Sequence, residues 1–204
     1  MKINKVYKLL HDAYVYDSYP GAFLVPKNGI KYSRFDEKLI SFGRGSLKNL
    51  WPQDMTVNIT GITPVDYLFC SVNIDAVSDH ARTVIEKISP LDVEFFPLDV
   101  IDEDGMPIIK TKYWVINVLT IIDALDWDNT KWTTGKPPTK KDPTAFLSII
   151  KPCLIESKIN GRNIFRIEVA NQTTSGKFIS HFLRKSLEKE GCTIGMDFGQ
   201  IKTI

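Results

Sequence analysis

The chain has 204 residues, 43% of them hydrophobic and 25% charged, which is the makeup of a globular protein able to bury a sizeable core. A net charge of +2 excludes a wholly basic nucleic-acid-binding domain, and the absence of any run of about 18 apolar residues excludes a membrane-spanning helix. Three scattered cysteines, Cys70, Cys153 and Cys192, form no CxxC pair and exclude a disulfide framework.

The basic N-terminus, MKINKVYKLLHDAYVYD, lacks the uninterrupted apolar core of a signal peptide, so the expected location is the cytoplasm. Val6 to Leu10 and Ala13 to Tyr16 read as short strands, and Phe23 to Val25 as another, closed by Pro26 and Asn28-Gly29. Gly43-Arg44-Gly45 lacks the third glycine and the GK[ST] of a phosphate loop, so it reads as a turn. One helical turn is expected over Ser46 to Leu50, before Pro52.

Val65 to Val72 predicts a buried strand leading into a helix from Ser78 to Ile88. Val93 to Val100 predicts a strand that Pro97 places near an edge or bulge. Asp102-Glu103-Asp104-Gly105 then reads as a hairpin turn. It fails as a calcium loop, because Val100 and Thr111 would occupy the first and twelfth ligand positions.

Lys112 to Leu125 is the most apolar stretch and predicts a central strand running toward a short helix near Asp123. Asn129 to Thr144, with Trp132, is the clearest loop. Asp142-Pro143 fits the start of a helix to about Ile150. Asn160-Gly161 signals a hairpin between Leu154–Ile159 and Asn163–Val169, and Phe198 to Ile204 predicts the last strand.

One stretch occurs twice. A shift of 102 residues lays Val77 on Ile179, Ser78 on Ser180, Ala81 on Leu183, Arg82 on Arg184, Ile85 on Leu187, Glu86 on Glu188 and Lys87 on Lys189. One inserted residue later, Phe95 meets Phe198. Each copy offers a Ser that caps a helix and an apolar stripe at helical spacing. The stripes read as Val77, Ala81, Val84, Ile85, Ile88 and as Ile179, Phe182, Leu183, Leu187. Chance convergence of a common unit and internal duplication both account for the match.

Charge is unevenly placed along the chain. Residues 51–110 carry three Lys/Arg against eleven Asp/Glu, whereas residues 151–204 carry nine against five. Such segregation steers association with a partner of opposite sign, unless folding mixes the blocks.

Catalytic and metal motifs are absent: there is no HExxH, no GxSxG and no His/Cys ligand spacing. Of the three histidines, His80 and His181 follow the capping serines and face away from the apolar stripes. Cys70 lies in an apolar strand, where an inert thiol is expected.

The segment from Val65 to Phe198 resembles the immunity-protein family numbered eleven (MXAN-type domains) of bacterial polymorphic toxin and type VI secretion systems. The resemblance rests on the Ser78 helix, Val93–Val100 (VEFFPLDV), Tyr113–Val118 (YWVINV), Ile121–Trp127 (IIDALDW), Ile164–Ile167 (IFRI) and Ile179–Phe198. Thr193 to Met196 departs from the plain G-x-x-F close, and residues 1–60 are unmatched.

It implies a cytoplasmic protein with no catalytic residues, no cofactor and no metal, which binds a cognate toxin and occludes its active site or substrate channel. Neither nucleic acid nor membrane is an expected partner. The contact is expected at Asp102, Glu103 and Asp104 and at Trp132 in the following loop, because loops carry binding more often than the elements they join. The expected fold is α+β: a mixed, largely antiparallel sheet with a few packed amphipathic helices. The chain is expected to form one domain over 1–204, or two lobes, 1–60 and 61–204. The competing functional readings are a small enzyme with a dispersed carboxylate/His site and an adaptor of a secretion system.

Overall fold

The computed structural model describes residues 5–12, 22–26, 45–49, 51, 55–59, 65–70, 74–101, 104, 106–107, 112–133, 149–169, 172–173 and 176–204. In chain order the elements are β1 (Val6–His11), β2 (Ala22–Pro26), β3 (Met55–Ile59), β4 (Tyr67–Cys70), β5 (Ile74–Ser78) and α1 (Asp79–Ile88). Then come β6 (Val93–Ile101), β7 (Tyr113–Val118), β8 (Ile121–Ile122), β9 (Lys131–Trp132), β10 (Ile149–Lys151) and β11 (Cys153–Leu154). The chain ends with α2 (Glu156–Ile159), β12 (Ile164–Val169), β13 (Gln172–Thr173), β14 (Lys177–Ser180), α3 (His181–Lys189) and β15 (Met196–Thr203).

Two sheets dominate. One is a closed barrel in the order β2-β3-β6-β7-β5-β4, and the other runs β11-β15-β1-β14-β12-β13 with β8 beside β12. Most pairings are antiparallel, so the class is α+β with mixed sheets, as expected.

The repeated stretch is a structural repeat. In the barrel Val77 lies opposite Tyr67 on one side and Trp114 on the other. In the second sheet its counterpart Ile179 lies opposite Ile164 and Tyr7. Phe95 faces Ile116, and Phe198 faces Leu9. Four strands and a helix, β4-β5-β7-β6 with α1, are thus matched by β12-β14-β1-β15 with α3.

The matching strand orders differ in chain connection. In the first half the third strand, β7, follows β6; in the second it is β1, from the other end of the described chain. Residues 1–60 accordingly divide: β1 joins the second sheet, while β2 and β3 complete the barrel.

Alternation along the strands sorts side chains between two cores. Tyr7, Leu9, Ile164 and Ile179 face a shared core with Val77, Ala81, Ile85, Ile116, Leu183 and Leu187, against which both helices lie. Val6, Phe165, Ile167 and Phe178 face the other side, covered by Ala124, Leu125, Leu154 and Ile159.

Both helices start where the capping serines stand. Ser78 Oγ accepts from Ala81 N at 3.1 Å and donates to Asp66 Oδ1 at 2.7 Å. Ser180 Oγ accepts from Leu183 N at 3.1 Å and donates to Asn163 Oδ1 at 2.8 Å. Each serine therefore ties a helix start to the neighbouring strand, and Ser180→Ala is expected to cost about 1–2 kcal/mol in chemical denaturation. A loss under about 0.3 kcal/mol would show that the bond contributes nothing to stability.

Several expectations are corrected. Asn160-Gly161 does not turn a β-hairpin. Its left-handed backbone, φ 50° at Asn160 and 70° at Gly161, ends the short helix α2. Both structures need positive φ at those positions, so the local signal could not separate them. No helix forms near Asp123, where the chain instead passes from β8 to a bridge between Leu125 and Leu154. The helix expected to end at Ile150 ends instead in β10, paired with β9, and the rest of it lies outside the described residues. The Ala13–Tyr16 strand lies outside them too.

Among the described residues β3 pairs with β6 from Asp99 onward, and Pro97 pairs with Trp114 of β7 on the other flank. Beside it, Glu94 holds the 45–49 turn through Leu47 N (2.5 Å) and Ser46 Oγ (2.7 Å), while Trp51 stacks on Phe96. The single helical turn expected there is present as a bond from Trp51 N to Leu47 O, 2.9 Å.

Candidate functional site

The carboxylates of the acidic block are largely engaged within the fold. Asp75 pairs with the buried Lys177, and Asp92 with Arg162 at 2.9 Å. Asp79 and Glu86 hold Arg82 at 3.4 and 3.0 Å, Asp66 accepts from Ser78, and Glu94 is buried beside Asn117. Folding thus mixes charge blocks that are separate in sequence. Of the expected contact residues, Asp104 is exposed in a turn whose flanks bridge at Ile101 and Pro107. Asp102 and Glu103 lie outside the described residues.

Trp132 is half-buried in β9, with its ring stacked on Trp127 at 5.3 Å and its indole N–H donating to Trp127 O at 3.2 Å. It packs against the second core and so has a structural duty that its place in a polar segment concealed.

Burial favours the protonated forms of the described thiols and of Tyr113. Burial pushes the Cys192 thiol up to about 11 and raises that of Cys153, which disfavours the thiolate in both. Burial likewise carries Tyr113 to about 12, with its hydroxyl donating to Val65 O at 2.9 Å. His80 and His181 are exposed, as expected, and His181 Nδ1 lies 3.2 Å from Tyr7 Oη. Among the described residues no group of three or more His, Cys, Asp or Glu is placed to hold a metal.

What the fold does present is the outer face of the helix pair. α1 and α3 pack against each other, leaving a cleft of about 590 Å³ between them. Their flanks repeat one device: Arg82 stacks over Trp114 at 4.0 Å, and Arg184 over Tyr7 at 4.5 Å and Phe198 at 5.1 Å. Glu188 holds Arg184 and Lys185 at 2.7 and 2.6 Å, and those bonds keep its carboxyl below the usual range. These arginines fix the flanks, so the cleft between the helices is the open part.

Phe182 corrects the sequence reading. It is 63% exposed on the cleft rim rather than part of the buried stripe. The repeat held the signal for this, since Phe182 falls on His80, which faces outward in the first copy. A second cleft of about 600 Å³ lies over β1, β14 and β15, with Leu10, Ile201, Lys8 and Lys202 in its lining.

The scaffold is a repeated α+β unit whose two helices present an open outer face. The immunity protein family (Imm11) matches residues 20–203, and the chain belongs to that family. A comparison with curated proteins found no match.

Proposed function

We propose that this chain neutralises one cognate toxin of a bacterial polymorphic toxin system by direct, non-catalytic binding in the cytoplasm, covering the toxin's active site or substrate channel. The observation that carries this reading is the family match over residues 20–203. The raised thiol pKa values of Cys153 and Cys192 fit a binding role better than a thiolate nucleophile. Pairing of strands from residues 1–60 with both sheets supports one folding unit rather than two lobes. An interface able to hold a lethal enzyme buries about 1,200–2,000 Å² and depends on a few anchors. One contact is the acidic turn of Asp102, Glu103 and Asp104, facing a basic patch on the toxin and speeding encounter. Trp132 supports the neighbouring surface through its stack on Trp127.

The test is co-expression with the toxin encoded beside this gene. Cells are expected to survive, and an inactivated toxin should co-purify at one-to-one stoichiometry without consumption of any small molecule. Reversing the charge at Asp102, Glu103 and Asp104 should slow association, more at low salt than at high. Neither protection nor a complex would remove the immunity reading and leave the adaptor and enzyme alternatives ahead.

A further inference from the structure

We infer that the cleft between α1 and α3 is a toxin-docking surface, and that it accepts an acidic protein face from which one apolar side chain inserts. This deepens the immunity reading and rests on it. Val84 and Ile88 line the cleft from α1, and Phe182 stands on its rim from α3, 63% exposed. Around them are Lys87, Lys185 and Lys189, with Glu190 as the single carboxylate of the lining.

The positive sign of this face is a product of the flanks. Asp79 and Glu86 are turned toward Arg82, and Glu188 toward Arg184 and Lys185. The helices' other acids are thereby held by cations of their own. Neither Lys87 nor Lys189 forms an ion pair within the described residues. An apolar groove rimmed by such ammonium groups is complementary to Asp or Glu around a protruding Leu, Met or Phe, where a central anchor is desolvated and charges set orientation.

Comparing the two halves of the repeat shows which positions of this face they share, and the sign of the charge points to the occupant. Flanking positions keep their identity, Arg82 with Arg184 and Glu86 with Glu188, and so does Lys87 with Lys189 in the cleft, while His80, Thr83 and Ile88 give way to Phe182, Lys185 and Glu190. A second copy seated on this face would bring Lys87, Lys185 and Lys189 against the same lysines, whereas an acidic partner meets no such repulsion.

The experiment measures binding of the inactivated toxin to the full chain, to Phe182→Ala and to Lys87→Glu/Lys189→Glu. All three sites are exposed, so folding is checked by thermal melting and expected to be unchanged. Phe182→Ala should weaken binding roughly tenfold or more, mainly by faster dissociation. The double reversal should weaken it by a similar factor, through slower association, and reduce its salt dependence. A complex that forms with the unaltered chain and holds both variants within about twofold overturns the cleft and leaves the immunity reading standing. No complex with the unaltered chain overturns both. A concentration-dependent dimer of the chain alone, abolished by Phe182→Ala, would assign the cleft to a second copy and overturn the proposal.

Discussion

Lys177→Met, with Asp75 left in place, is expected to cost about 3–5 kcal/mol of folding stability in urea denaturation, because it leaves a buried carboxylate without its nearest cation. Lys177 is 2% exposed and Asp75 6%. The two residues occupy equivalent places in the duplicated halves, one on β5 and the other on β14, and their ion pair ties the barrel to the second sheet. Arg166, 3% exposed, also lies in the field of Asp75, while burial lowers its guanidinium pKa. Asp75→Ala should therefore be the more damaging change, since it removes the counter-charge of two buried cations. Adding Lys177→Met to Asp75→Ala should recover part of the loss and not all of it, because Arg166 remains. Losses under about 1 kcal/mol for both single variants would mean that water reaches these groups and the pair is not a structural tie.

Ile85→Ala and Leu187→Ala are each expected to lose about 2–5 kcal/mol, combining the lost transfer energy with that of the cavity left behind. Each side chain is 1% exposed and belongs to the core shared by both helices and both sheets. Because the two face one core, the double variant is expected to depart from additivity. Phe182→Ala serves as the internal control: it lies one residue from the fully buried Leu183 yet should stay within about 0.5 kcal/mol of the parent. Equal stability of the parent, Ile85→Ala and Leu187→Ala would mean that the helices dock by another face.

What was legible in the sequence follows the range of the physics involved. Serine caps, the helix stripes apart from Phe182 and the β-branched run at Tyr113–Val118 are local, and each stands where the pattern placed it. Asn160-Gly161 announced positive φ correctly, but whether a strand or a helix precedes it depends on the parallel pairing of Cys153 and Leu154 with β15. The acidic block gave no view of its own neutralisation, because Asp75 finds Lys177 across 102 residues and Asp92 finds Arg162 across 70. Barrel closure sets Ala22 beside Cys70, a long-range pairing for which no local signal exists. Binding surfaces leave the weakest trace of all. A cleft such as that at Phe182 needs no motif, only two helix faces brought together.

The exchange of β7 for β1 between the halves has a kinetic side. Tyr7 and His181, which meet within the second half, are 174 residues apart. During synthesis β1 emerges long before β14 and β15, so the second half cannot close until its last strand has left the ribosome. The first half, with β4 to β7 in succession, can assemble early. Long closures slow folding and leave a strand edge exposed while they wait. The barrel should therefore serve as the template on which the later half completes.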